Sequence, residues 1–273
     1  MNWTQIGVII KKEWADTFRN KMVFFTLIFL PLLLALLPLV NLYVMQALPA
    51  EEMSGDMGED LGPFLPYVEQ LGVSPTDPEG ARQVVMVGMA SIYMVIFLMI
   101  PLMVPMMIAT DSIVSEKVTK SLEPLLATPI SVRDLLLAKA LAAVVPAVAV
   151  TWLCYALYGA IAALFVPPAV LGVILGLDWI VGILLLSPLL ALLAVGAGIV
   201  VSSRVNDTRS AQQISGVIVL PLLLVFIPMF LGMFTLTAGV FLIGAAILVV
   251  LDVGVLYAAT ALFRRETILT RWK

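Results

Sequence analysis

Of the 273 residues, 62% are hydrophobic and only 12% charged, and the mean hydropathy is +1.11, whereas a soluble globular domain is about half apolar and about a quarter charged. The composition is that of a membrane protein, and six apolar spans make the expected fold an all-α polytopic one. There is no histidine, which excludes imidazole general bases, imidazole zinc or haem ligation and Ser-His or Cys-His nucleophile pairs, and the single cysteine, Cys154, has no intrachain partner.

Residues 1–21 read as an interfacial helix. At 100° per residue Trp3, Ile6, Ile9, Ile10, Trp14 and Phe18 share one half, interrupted by Glu13, and Gln5, Lys12, Asp16 and Arg19 share the other. Such a helix lies at headgroup depth. Six apolar stretches long enough to cross the hydrocarbon core follow, at 22–46, 84–110, 139–166, 179–201, 215–234 and 238–263. The first is about twice as long as a signal-peptide core, and Leu48-Pro49-Ala50 lacks the small-x-small cleavage pattern. It is expected to stay in the protein.

The loop 47–83 is acidic and rich in glycine and proline, with Glu51, Glu52, Asp56, Glu59, Asp60, Glu69, Asp77 and Glu79. An EF-hand starting at Asp56 would need glycine sixth and glutamate twelfth, where Leu61 and Tyr67 stand. Solvation accounts for the acidity. Asp77-Pro78-Glu79 has the form of a helix start, so the second span is expected to begin in water.

The region 111–138 is too long for a tight turn. Val114 to Leu126 has the pattern of an amphipathic helix with Glu116, Lys117, Lys120 and Glu123; Thr128-Pro129-Ile130 breaks it, and Ser131 with Asp134 opens a helix that continues into the third span. Two helices joined at a fixed corner suit docking to a soluble partner, and equally suit a solvated connector. Fourteen of the 15 basic residues flank one side of the spans, and Arg82 stands alone on the other. The positive-inside rule therefore places both termini in the cytoplasm, which six spans satisfy.

Pro101, Pro105, Pro146, Pro188, Pro221 and Pro228 lie inside spans, and each removes a helix hydrogen bond. Asp252 is the one carboxylate well inside a span, at a cost of about 2.5–3.5 kcal/mol on insertion scales. Two readings follow: a proton or cation site, or a neutral acid hydrogen-bonded to Thr151, Tyr155 or a backbone carbonyl.

The run from Glu116-Lys117 through Lys120-Ser121-Leu122-Glu123-Pro124-Leu125-Leu126-Ala127-Thr128-Pro129-Ile130-Ser131, with Leu135, Leu136 and Lys139 following, resembles the signature of type-2 ABC exporter permeases. Lys12-Glu13-Trp14 with Arg19-Asn20-Lys21 and Pro31, Arg209-x-Ala211-Gln212-Gln213 with Pro221, and Arg265-Glu266-x-Ile268-Leu269 agree in order and place. One departure stands out: the family usually has an acid and then Gly-Thr before Leu-Glu, where this chain has Val118, Thr119, Lys120 and Ser121.

The resemblance implies a membrane subunit in a prokaryotic inner membrane that pairs with itself or a similar permease chain. It also implies a coupling helix around Glu116 to Ala127, with Lys117, Lys120, Leu122, Glu123, Leu126, Thr128 and Pro129 as contact residues. Two copies of a separate ATPase would bind ATP and magnesium, meeting also Lys12, Glu13, Trp14 and Arg19 of the interfacial helix, with Arg209, Gln212 and Gln213 forming a second cytoplasmic loop. The substrate path would run between the two membrane halves, along the first and fifth spans. No nucleic-acid partner, catalytic residue or metal is implied. Independently, no G-x-x-x-x-G-K-[ST] loop occurs, so the chain has no P-loop of its own. Rival readings are a gradient-driven secondary transporter using Asp252 and, weaker for want of any clustered polar site in a span, a membrane-embedded enzyme.

Overall fold

The computed structural model describes residues 3–50, 64, 66–74, 76–121, 131–205, 207–217, 219–224, 227 and 235–262. Among them there is no strand. The helices are α1 (Trp3–Arg19), α2 (Lys21–Ala47), α3 (Pro66–Leu71), α4 (Pro78–Val118), α5 (Val132–Ala162), α6 (Pro168–Ile174), α7 (Leu177–Val181), a π-helical turn (Gly182–Leu186), α8 (Ser187–Arg204), α9 (Thr208–Gly216), α10 (Val219–Leu224) and α11 (Ala238–Leu262).

Among the described residues, five stretches are long and apolar enough to cross a membrane: Val23–Ala47, Pro78–Val118, Val132–Ala162, Pro168–Arg204 and Ala238–Leu262. The first and last agree with the sequence expectation to within a residue or two. The fifth expected span, 215–234, lies partly outside the described residues, and its first two positions belong to α9. The third begins seven residues early, at Val132, because Ser131 is a true N-cap: its hydroxyl accepts from the Asp134 N–H at 3.0 Å.

The second span is one helix of 41 residues, about 62 Å long and twice the hydrocarbon thickness. It starts where expected, with the Asp77 carboxylate accepting from the Gly80 N–H at 3.2 Å. Its far end corrects the sequence reading. No separate amphipathic helix starts at Val114; α4 runs unbroken to Val118, and Leu122 to Ile130 lie outside the described residues. Nothing between Asp111 and Glu116 is a helix breaker, so the polar positions there are simply the last turns of the span.

α4 ends in a Schellman motif, with Lys120 N–H bonded to Lys117 O and Ser121 N–H to Glu116 O, both at 3.1 Å. The residue at the turn is Lys120, with φ of 54°. This is the place where the resembled family has glycine, which takes the left-handed conformation freely.

α4 and α8 form the centre of the bundle, with α2 and α5 against α4, and α11 against α8. On α8 the close approach is to α11, at Gly196, where a Cβ would lie 2.6 Å from Val255 Cγ1; a Cβ at Gly198, 3.4 Å from Ala109 Cβ and Thr110 Cγ2 of α4, would make ordinary contacts. The fourth span is segmented, against the expectation of one helix. Pro188 cannot supply the N–H that Leu184 would receive, and the chain takes up the mismatch in the π turn just before it. A side chain at Gly182 in that turn would collide with Met94 of α4 and the Phe241 ring of α11.

At the acidic end of the bundle, Arg82 of α4 donates to Gln46 O at 3.3 Å, capping the C-terminus of α2, and pairs with Glu79 at 2.7 Å. Asp178 of α7 accepts from the Ala238 N–H at the start of α11. The outward faces of α2 (Phe25, Phe29, Leu37) and α11 (Ile243, Val250, Tyr257) are exposed and apolar, as helix surfaces facing lipid or another copy must be.

A left-handed non-glycine residue costs about 1–2 kcal/mol. Lys120→Gly is therefore expected to stabilise the protein by about 1 kcal/mol, read as a higher unfolding midpoint in detergent. A midpoint equal to or below the parent's contradicts the assignment of strain.

Candidate functional site

The bundle end that carries the basic residues holds a charge cluster built from three helices. In α1 the residues Ile6, Ile9 and Glu13 lie on one face and are all buried, so the acid that interrupts the apolar half of this helix points into protein. Lys139 of α5 receives it. Its ammonium stands 2.8 Å from Glu13 Oε1, donates to Ser112 Oγ of α4 at 2.6 Å, and is 2.9 Å from Glu116 Oε2 of α4. The last is a charge contact without hydrogen-bond alignment. Ser112 in turn donates to Glu13 Oε2 at 2.7 Å, and Lys12 donates to Glu116 Oε1 at 2.8 Å.

The two pairs differ in setting. Glu13, Glu116 and Lys139 have side chains 5–7% exposed, whereas Lys12 is 49% exposed and borders a cavity of about 70 Å³ lined also by Asp16, Asp111 and Ser115. Lys12–Glu116 is therefore a wet and weak pair, and Lys139 with its two carboxylates a dry one. Burial alone would push the Glu13 carboxyl up, but the charge and hydrogen bond of Lys139, then the Ser112 hydroxyl, then Lys12, hold it below the usual 4.5. For Lys12 burial works downward and is outweighed by the hydrogen bond and charge of Glu116, then by Glu13 and Asp16, so its value rises above 10.5.

Two further contacts complete the cluster. The Trp14 indole of α1 donates to the Ala142 carbonyl of α5 at 2.9 Å. Lys117 of α4 donates to the carbonyls of Ser202, Ser203 and Val205 at 3.1, 3.2 and 3.0 Å, closing the C-terminus of α8 where the helix dipole favours a cation.

The structure thus brings together Lys12, Glu13, Trp14, Glu116 and Lys117 among the sequence candidates. Glu116 turns inward rather than toward solvent. Arg19 is exposed in the last turn of α1. Arg209, Gln212 and Gln213 lie on α9, which packs on α4 and α8 through the buried Ala211 and is capped by Asp207, whose carboxylate accepts from the Ser210 N–H and hydroxyl, both at 2.9 Å. Lys120 marks the end of α4. Leu122, Glu123, Leu126, Thr128 and Pro129 lie outside the described residues.

Asp252 is remote from the cluster, buried on the α11 face that also carries Phe241, Ala245 and Ala259. The expected donors do not reach it. Thr151 is bonded to Ala147 O at 2.8 Å and Tyr155 to Ile174 O at 2.8 Å, and among the described residues neither carboxyl oxygen of Asp252 has a partner. Nothing in the sequence singles out Ser112 or Ala142, and Lys139 stands there as a flanking charge and as part of the permease-like run; the acid on the apolar face of α1 is the signal that a buried cation must exist. Among the described residues, no three His, Cys, Asp or Glu side chains are grouped to hold a metal. The arrangement ties three helices together.

The family described as ABC-2 family transporter protein matches residues 8–266. No protein with a curated description matches the chain closely enough to count as a relative. With nearly its whole length covered, the chain belongs to the ABC-2 transporter family and is a multi-pass membrane transport component.

Removing one partner of a buried ion pair costs about 3–5 kcal/mol. Lys139→Met should destabilise the protein by that amount, and Glu13→Gln in the same chain should recover part of it, measured by unfolding in detergent. The depressed carboxyl of Glu13 contributes stability that is complete above pH 4.5 and is lost as pH falls through its lower folded value. Glu13→Gln should flatten that acid limb; an unchanged limb would contradict the pairing.

Proposed function

We propose that the chain is the permease subunit of an ATP-driven exporter, with six spans and both termini in the cytoplasm of a prokaryotic inner membrane. It pairs with a second copy or a similar chain, and two copies of a separate ATPase, holding ATP and magnesium, drive it. The distribution of basic residues supports the orientation, and the missing P-loop supports the separate engine.

The observation that carries the mechanism is the junction at the end of α4. Ser112 and Glu116 hold α1 and α5, and Lys117 holds α8. In sequence, residues 122–130 connect the Schellman end of α4 to the N-cap of α5. A push delivered there by ATPase closure reaches four helices at once, because the Lys139 ion pairs and the Lys117 hydrogen bonds join their ends. Glu116 works within the junction, and the docking contacts fall to Lys120, Leu122, Glu123, Leu126, Thr128 and Pro129, with Arg209, Gln212 and Gln213 of α9 as a second set. The apolar helix faces fit a lipid-like or drug-like cargo moving outward along the interface of two copies.

A second reading, a gradient-driven carrier using Asp252, is favoured by the lack of any donor to that carboxyl among the described residues.

The purified chain alone is expected neither to bind nor to hydrolyse ATP, and to gain both with a co-purifying ATPase; tight nucleotide binding by the isolated chain would reject the reading. In proteoliposomes with that ATPase, Asp252→Asn should retain ATP-driven flux of a fluorescent amphiphile with gradients collapsed by ionophore. Loss of flux in the variant and with ionophore, ATP being present, selects the gradient-driven carrier.

A further inference from the structure

Pro146 lies inside α5 and has no N–H, so the Ala142 carbonyl one turn earlier loses its regular intrahelical donor. A buried carbonyl left unmet is costly, and a proline inside a membrane helix is tolerated where a neighbour supplies the missing hydrogen bond. Here the neighbour belongs to α1: the Trp14 indole N–H reaches Ala142 O at 2.9 Å. Lys139, Ala142 and Pro146 follow one another at helical spacing on one side of α5, and Ala142 is 2% exposed.

The consecutive residues Lys12, Glu13 and Trp14 therefore meet three separate points, Glu116 on α4, Lys139 on α5 and the Ala142 carbonyl on α5. These contacts do different work. Ile6, Ile9 and the ion pairs choose which face of α1 turns inward, but long lysine side chains follow a helix that slides by part of a turn. A carbonyl cannot follow, and Pro146 is the one proline inside α5, so only one carbonyl of that helix is vacated by proline.

We propose that Pro146 is a positioning residue: by freeing the Ala142 carbonyl for Trp14 it sets the register of α1 on α5. It thereby sets how Thr4, Val8, Lys11 and Ala15, exposed on the opposite side of α1, are presented to the ATPase. The second half rests on the reading of the chain as an ATPase-driven permease; the first half does not.

Pro146→Ala returns the N–H to position 146 and replaces the poorest helix former with the best, so the variant is expected to fold with an unfolding midpoint no lower than the parent's. The full chain, labelled with ¹⁵N-tryptophan in nanodiscs, gives five indole signals, and Trp14→Phe identifies that of Trp14. In Pro146→Ala the Trp14 indole should exchange with solvent about tenfold faster, as for one weakened hydrogen bond. The Trp152 indole, bonded to Ser187 Oγ at 2.9 Å, should be unaffected. Unchanged Trp14 exchange overturns the proposal.

On the same nanodiscs, affinity for the co-purifying ATPase should fall about tenfold in Pro146→Ala and in Trp14→Phe, and no further in the double variant, because both remove one contact. Faster exchange with undiminished ATPase affinity, or additive losses in the double variant, overturns the positioning role. If the parent chain itself binds no ATPase, the permease reading fails and takes that role with it, a result seen before any variant is made. A merely structural proline would lower stability when replaced and leave the indole and the affinity to fall together with folding; here stability holds while both change.

Discussion

The Lys139 ammonium, sealed between Glu13 and Glu116, is the contact on which the basic end of the bundle depends. A lone buried cation would cost several kcal/mol of desolvation, and its cost is met only while α1, α4 and α5 each keep their share of the contact. This makes the three helix ends mutually dependent. Breaking such a pair by removing one partner leaves a buried charge uncompensated, so the pair holds the three helix ends in one arrangement. Lys117 extends the same logic to α8 by filling the carbonyl end of that helix with a cation.

Elsewhere backbone groups decide the geometry. Pro146 and Pro188 each vacate one acceptor, and the structure answers them differently: an indole from another helix in the first case, a π turn in the second. Prolines inside spans need not be flexure points; in α5 the vacated acceptor becomes an attachment. A small residue does the complementary work on α8, where Gly196 leaves room for Val255 of α11.

Much of this was legible in the sequence, because it rests on local physics. Apolar runs mark the spans, the Asp77-Pro78 start and the Ser131 cap are encoded within four residues, and the period of α1 is plain. What was not legible depended on distant pairings. Glu13 was visible as an oddity on an apolar face, but its partner lies 126 residues on, at the edge of a span, where a lysine reads as a flanking charge. Glu116 was placed on a separate amphipathic helix because its charge pattern is amphipathic; the pattern is equally that of a long helix leaving the membrane with two inward polar residues. The glycine missing at Lys120 was noticed as a departure, yet its meaning, a left-handed helix end, needed the backbone angle. Thr151 and Tyr155 looked available to Asp252 and are engaged by carbonyls of α5 and α6, a competition that a span diagram does not contain.

If the chain is driven by an ATPase as proposed, α1 and the ends of α4 and α5 move as one body when that ATPase closes. Electron double resonance between spin labels at the exposed positions Val8 of α1 and Arg133 of α5, in the complex with its ATPase and with unlabelled chain in excess, tests it directly. Trapping the ATPase with ATP and vanadate should leave that distance unchanged to within about 2 Å, the scale of an ordinary helix shift, while labels at Val8 on two copies change their separation. A Val8 to Arg133 distance that alters by more than this on trapping would contradict the account.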